Sequence, residues 1–170
     1  MANKPHLIIV MGVSGCGKST IGLELAKNLN YQFVEADDFH SSEAKAHMGS
    51  GRALDDTMRE PWLKRIEEHF QKLPLENSVL AYSGLRRSHR QRFRHLGFKT
   101  QFILLHGDHD VICQRIQNRS DHFMPSLLLS SQFDAFEPPT EESDVVSFNI
   151  EKSPSELSRI IKQSVQKKFK

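Results

Sequence analysis

Cysteine is scarce: Cys16 and Cys113 are the only two in 170 residues. Two thiols build no disulfide framework, and no C-x-x-C spacing offers a metal clip. Long apolar runs are missing too; none approaches the roughly 20 residues that a membrane-spanning helix requires. Met1 to His6 carry a single lysine. The apolar run behind them, Leu7 to Met11, is shorter than the roughly 7–15 residues of a signal-peptide core. The expectation is a cytoplasmic protein with no membrane partner. Excess charge is also lacking. Lys and Arg number 23 against 21 Asp and Glu, a net +2 with nine histidines neutral. That balance does not mark a nucleic-acid binder.

What is present is an ordinary globular composition, 38% hydrophobic and 26% charged. The length suits one domain over residues 1–170. Apolar runs alternate with helix-periodic segments. Residues 6–11, 31–36, 78–83, 99–106 and 144–150 read as strands. Ile21, Leu25 and Leu29 recur every four residues and give a helix face. Trp62, Leu63, Ile66, Phe70 and Leu73 form a second stripe, with Pro61 placed near that helix's first turn. Asp108 is the expected cap of a helix carrying Val111, Ile112 and Ile116. Ser153-Pro154-Ser155-Glu156 is a capping box that opens a last helix. Near-continuous apolar strands alternating with helices predict a parallel sheet covered on both faces. Segments 37–61, 84–98 and 117–143 exceed simple crossovers. The first is assigned to substrate binding and the last to a lid and its following helix, since ligands bind beyond the carboxyl ends of such strands.

The stretch Gly12-Val13-Ser14-Gly15-Cys16-Gly17-Lys18-Ser19 fits G-x-x-x-x-G-K-[ST] between a strand and a helix. Glycines let backbone N–H groups converge on phosphate oxygens, and the helix N-terminus favours the same anion. Lys18 reaches the β- and γ-phosphates, and the Ser19 hydroxyl ligates Mg²⁺. Residues 12–20, including Thr20, form the expected ATP-binding loop, although Thr20 also reads as a plain helix residue. Cys16 admits a redox reading, because such a site lowers a thiol pKa; a tolerated small residue is the simpler one. No N-K-x-D guanine signature occurs, which argues against a GTPase. No apolar strand ends directly in Asp, which argues against a motor ATPase. A small-molecule kinase remains.

After the second strand comes "EADDFH" (35–40), then "HMGSGRALDDTMREPWL" (47–63). Here the chain resembles the gluconokinase family, short P-loop kinases that phosphorylate D-gluconate. Asp37 and His40 fall on that family's D-G-D-x-L-H-P. Met48, Gly51, Leu54, Asp56, Arg59, Pro61, Trp62 and Leu63 fall on its K-M-x-x-G-x-P-L-x-D-x-D-R-x-P-W-L. "YSGLRRSHRQRFR" (82–94) and "RIQNRSDHFMPSLLLSSQFDAFEPP" (115–139) are similar to two later family segments. Departures are Glu35-Ala36 for Asp-Gly, Ser41 and Ala53 for Pro, Thr57-Met58 at acidic positions, Arg86 for Lys and His89 for Tyr.

The resemblance implies a P-loop NTPase fold, a three-layer α/β/α sandwich on a five-stranded parallel sheet. It implies ATP and Mg²⁺ as cofactors, gluconate as the small-molecule partner, and a homodimer. Asp37, at a strand end, becomes the candidate base for the acceptor hydroxyl; Asp38 is the alternative. Glu35 is assigned a Mg²⁺-bound water. Arg59 and Arg86 suit the carboxylate of a sugar acid, since guanidinium donates two parallel bonds. His40 is a hydroxyl partner. Trp62 reads as core. Arg115 and Arg119 share a helix face and read as lid arginines over ATP, with Arg119 the catalytic contact. The basic run 85–95 reads as a solvated helix face with one or two substrate-facing cations rather than an RNA platform. A kinase of shikimate or another polyol acid, and a nucleotide-binding regulator, are the competing readings.

Overall fold

The computed structural model describes residues 4–72, 76–118 and 127–169. Strands β1 (His6–Met11), β2 (Gln32–Glu35), β3 (Ser78–Ala81), β4 (Lys99–His106) and β5 (Val145–Asn149) form one sheet in the order β2-β3-β1-β4-β5. All four pairings are parallel. The helices among the described residues are α1 (Lys18–Leu29), α2 (Ser42–Gly49), α3 (Asp56–Lys72), α4 (Arg87–Arg94), α5 (His109–Gln117), α6 (Leu127–Ala135) and α7 (Pro154–Lys168). The expected five-stranded α/β/α architecture is present. No described helix is long and apolar enough to cross a membrane.

Side chains on a strand alternate between faces, and both faces here are covered. Ile8 and Val10 of β1 join Ile21 and Leu25 of α1, Ile112 and Ile116 of α5, and Leu157 and Ile161 of α7. Leu7, Ile9 and Met11 join Trp62, Leu63, Ile66 and Phe70 of α3 and Phe93 of α4. All five side chains from Leu7 to Met11 have no solvent exposure. Burying each of them stabilises by about 1.5–3 kcal/mol, so β1 is a rigid base for the loop that follows it. β3 inserts between β1 and β2, and the later strands add on the other side of β1. The carboxyl end of β1 is therefore where strand order reverses, the place where open α/β sheets bind ligands.

Four local expectations need correction. α3 starts at Asp56, not near Pro61, because the Asp55 carboxylate accepts the Met58 N–H at 2.8 Å and caps the helix five residues earlier. Pro61 thus lies in the second turn, where it removes one helical hydrogen bond. Asp108 occupies the N-cap of α5, but its side chain makes no capping bond. In the α7 capping box, Ser153 accepts from the Glu156 N–H, while the Glu156 carboxylate takes the Lys152 ammonium at 3.1 Å.

The fourth is the basic run, which is not a solvated face. Arg90 is fully buried and bonds both oxygens of Glu142. Its guanidinium also donates to the carbonyls of Gly84, Leu85 and Glu137. Arg92 pairs with Glu60 and Glu67 of α3, and Arg94 with Glu142 and Asp144. The acidic partners come from segments distant in sequence, so the helix's own pattern could not reveal them.

Candidate active site

The phosphate loop leaves β1 at Gly12, whose N–H donates to the Ser83 carbonyl at 3.1 Å. A Cβ at Gly12 would come within 2.5 Å of the Leu105 carbonyl oxygen, so only glycine fits between β1 and β4. Gly17 has φ +97° and occupies the N-cap of α1. That left-handed conformation turns the loop into the helix without steric cost. Lys18 folds back over the loop, and its ammonium donates to the Val13 carbonyl at 3.0 Å. Ser14 is buried, and its hydroxyl has no hydrogen-bond partner. Thr20 is exposed on the first turn of α1. Cys16 is buried, and burial pushes its thiol pKa up. The electropositive loop does not activate it, which supports the tolerated-residue reading.

The carboxyl end of β2 brings the acidic residues to this loop. The Ser19 hydroxyl donates to the Glu35 carboxylate at 2.5 Å. Burial raises the Glu35 pKa, opposed by the bond from Ser19. Asp37 and Asp38 lie in a 3-10 turn, Ala36–Phe39. Asp37 lines the cavity described below, whereas Asp38 is exposed and not among its lining residues. α3 holds this turn at both ends. The Trp62 indole N–H donates to the Ala36 carbonyl at 2.7 Å, and Arg65, one turn on, donates to the Phe39 carbonyl at 2.6 Å. Trp62 is buried in the core, as expected, and also forms part of the cavity wall.

His40 stacks on Trp62, with ring centroids 4.2 Å apart and planes 15° from parallel. Its side chain is 5% exposed, and Nε2 lies 3.8 Å from the Asp37 carboxylate. Burial lowers its pKa to about 4 against the opposing pull of Asp37, with Arg65, Lys45 and Arg59 adding to the fall. The imidazole is therefore neutral at pH 7. Its buried Nδ1 has no partner.

Arg59 of α3 and Arg86 at the N-cap of α4 converge on one carboxylate, Asp56, at 3.2 and 2.8 Å. Asp56 is 63% exposed. His89 sits in the same cluster, its pKa lowered first by burial and then by Arg59 and Arg86. The two guanidinium groups nominated for an acid substrate thus share one anion.

These groups line one cavity of about 370 Å³ at the carboxyl ends of β1, β2 and β3. Its lining joins Ser14 and Lys18 of the phosphate loop with Asp37, His40, Arg59 and Arg86. Met48, Leu54 and Leu128 of the small apolar cluster, Ala81, Tyr82 and Ser83 at the end of β3, and Ser131 and Gln132 of α6 add to the wall. Sequence reasoning assigned no role to Asp56 or Gln132. Both fell on motif positions; Arg59 is three residues from Asp56, but Arg86 lies 30 residues from Asp56 and Ser14 lies 118 from Gln132.

Arg115 is not part of this wall; its guanidinium donates to the Ile150 carbonyl at 2.9 Å. Arg119 lies outside the described residues, as do His122 and Phe123. No group of three or more His, Cys, Asp or Glu among the described residues is arranged to hold a metal ion. The Ser19–Glu35 pair does fit Mg²⁺, which takes one or two protein oxygens and fills the rest with water and phosphate. The orphaned Ser14 hydroxyl and the glycine cradle fit a triphosphate in the same way.

Residues 14–166 match the family model for shikimate kinase. A gluconokinase from Arabidopsis thaliana is 45% identical over 143 residues, covering 75% of this chain and 76% of its own. A probable gluconokinase from Xenopus tropicalis is 35% identical, covering 96% of this chain and 95% of its own. The crystal structure of a gluconokinase from Sinorhizobium meliloti superposes with a TM-score of 0.82 at 37% identity, covering 92% of this chain and 89% of that one. With the phosphate loop, the Asp37 turn and the paired arginines around one cavity, this chain belongs to the gluconokinase family of P-loop kinases.

Proposed function

We propose that this protein transfers the terminal phosphoryl group of ATP to D-gluconate, giving 6-phosphogluconate, with Mg²⁺ as cofactor. The observation that carries the reading is one cavity lined both by Ser14 and Lys18 of the phosphate loop and by the Arg59–Arg86 pair. A sugar acid offers the two groups this lining requires, a hydroxyl and a carboxylate. The whole chain acts as one kinase unit, with 37–61 carrying the acceptor and 117–143 supplying the lid and its following helix.

Phosphoryl transfer depends on positioning and charge neutralisation. Lys18 and the 12–20 loop would hold the phosphates, and Ser19 with Glu35 would hold the metal, Glu35 through water. Bound there, Mg²⁺ would supply charge neutralisation at the phosphates. Asp37 orients the acceptor hydroxyl and takes its proton as the oxygen bonds to phosphorus and ADP departs. Neutral His40, which lines the cavity, hydrogen-bonds a second hydroxyl. Arg59 and Arg86 bind the substrate carboxylate, for which Asp56 stands in here. Arg119 and Arg115 are assigned to the ATP phosphates, Arg119 as the contact to the transferred charge; the bond of Arg115 to the Ile150 carbonyl would have to be exchanged for that role. The family relation supports a homodimer, and the two free thiols suit a reducing cytoplasm.

An ADP-release assay over gluconate, other aldonates and shikimate tests the reading. Turnover is expected with gluconate. Turnover only with another acid reassigns the acceptor, and nucleotide binding without turnover on any acid replaces the kinase with a regulator.

A further inference from the structure

The Ser14 N–H, at the turn of the phosphate loop, donates to the Gln132 Oε1 at 2.6 Å. A side-chain carbonyl from α6 thus occupies an amide of the anion cradle. Ser14 and Gln132 both line the cavity that contains Asp37. In the kinase reading above, the terminal phosphate of the nucleotide must face Asp37, which brings it to this amide. Beside the amide, Ser14 is 5% exposed, and its buried hydroxyl is without a partner. A buried hydroxyl in that state costs free energy until something bonds it.

We propose that Gln132 recognises the transferable phosphoryl group and makes the site discriminate triphosphate from diphosphate. This deepens the kinase reading above and rests on it. A glutamine amide has an acceptor on one side and two donors on the other. Before the nucleotide arrives, Oε1 accepts from Ser14. When a phosphoryl oxygen takes that N–H, a turn of the amide presents Nε2 as donor to the same group. Neither state leaves the amide opposed by a like dipole. α6 is well placed to hold it. Leu128 packs on Met48 and Leu54 of the acceptor segment, and Leu129 packs in the core under the phosphate loop. The chain leaving α6 is pinned by the Glu137 N–H to the Leu85 carbonyl at 2.8 Å.

The test is equilibrium binding of ADP and of a non-hydrolysable ATP analogue, with Mg²⁺, to the wild type, Gln132→Met and Gln132→Glu. Methionine keeps the length and loses both bonding roles. Glutamate keeps the acceptor for Ser14 and loses the donor. Losing a bond to a charged group weakens the analogue about tenfold or more in each variant. For Gln132→Met, ADP stays within about threefold, and the analogue-to-ADP ratio falls. Circular dichroism checks that both variants fold. An unchanged ratio in Gln132→Met, an equal loss for both nucleotides, or tighter analogue binding overturns the inference while leaving the kinase reading intact. A wild type that binds neither nucleotide overturns both.

Discussion

Replacing Glu142 by glutamine tests the ion-pair network that carries one wall of the cavity. The Glu142 side chain is 5% exposed and bonds Arg90 at 2.5 and 2.9 Å and Arg94 at 2.5 Å. Those guanidinium bonds hold its carboxyl pKa down to about 2, from an ordinary 4.5. At 1.36 kcal/mol per pKa unit, the carboxylate form contributes about 3 kcal/mol to folding at neutral pH. Because the folded pKa is the lower one, that stability is complete above the unfolded pKa of 4.5 and is lost as pH falls toward 2. The variant is expected to unfold about 3 kcal/mol more easily at pH 7, in line with a broken buried pair. At pH 3 the gap falls to less than half of that value. Urea unfolding of both proteins at pH 7, 5 and 3 measures the gap directly. A gap under 1 kcal/mol at neutral pH, or one that does not narrow with acid, would refute the assignment. A functional readout accompanies it: Arg90 also holds the Gly84 and Leu85 carbonyls, next to Arg86, so KM for the acceptor should rise.

Asp37→Asn is expected to lower kcat about 10²–10⁴-fold with nucleotide affinity nearly unchanged; a normal rate removes Asp37 as base. Arg59→Ala and Arg86→Ala should each raise KM for the acid about tenfold or more, as for a lost charged bond, and leave ATP affinity alone, which competition with a neutral polyol would check. His40 is held neutral with its pKa lowered to about 4, so it contributes stability above its unfolded value near 6.5 that is lost as pH falls toward 4. His40→Phe should flatten the stability profile of the protein between pH 6.5 and 4.5; an unaltered slope there would show that other groups titrate in that window. Trp62→Phe removes the bond to the buried Ala36 carbonyl and should cost about 1–3 kcal/mol, with a fall in kcat because Asp37 rides on that turn; an unchanged urea midpoint would show that the bond is idle.

The sheet, its cover and the phosphate loop were legible because their causes are local. Unbroken apolar runs of four to eight residues demand burial on both faces, as on β1 and β4. A glycine loop between strand and helix has one chemical use. Segments 37–61 and 117–143 were legible as additions because they exceed a crossover, and motif positions named Asp37, His40, Arg59 and Arg86. Which aspartate faces the cavity was decided by Trp62 and Arg65, which clamp the 3-10 turn from α3. The start of α3 depended on the Asp55 side chain folding back to cap it rather than on Pro61. The basic run read as solvated because a sequence shows charges without their partners; Glu60, Glu67, Glu142 and Asp144 reach it only through the fold. The meeting of Arg59 and Arg86 on Asp56, and of Gln132 with Ser14, is of the same kind. Periodicity and loop chemistry act over a few residues and are written in the chain, whereas the pairing of polar groups depends on which segments the packed core brings within 3 Å of each other, and only the tertiary structure decides that.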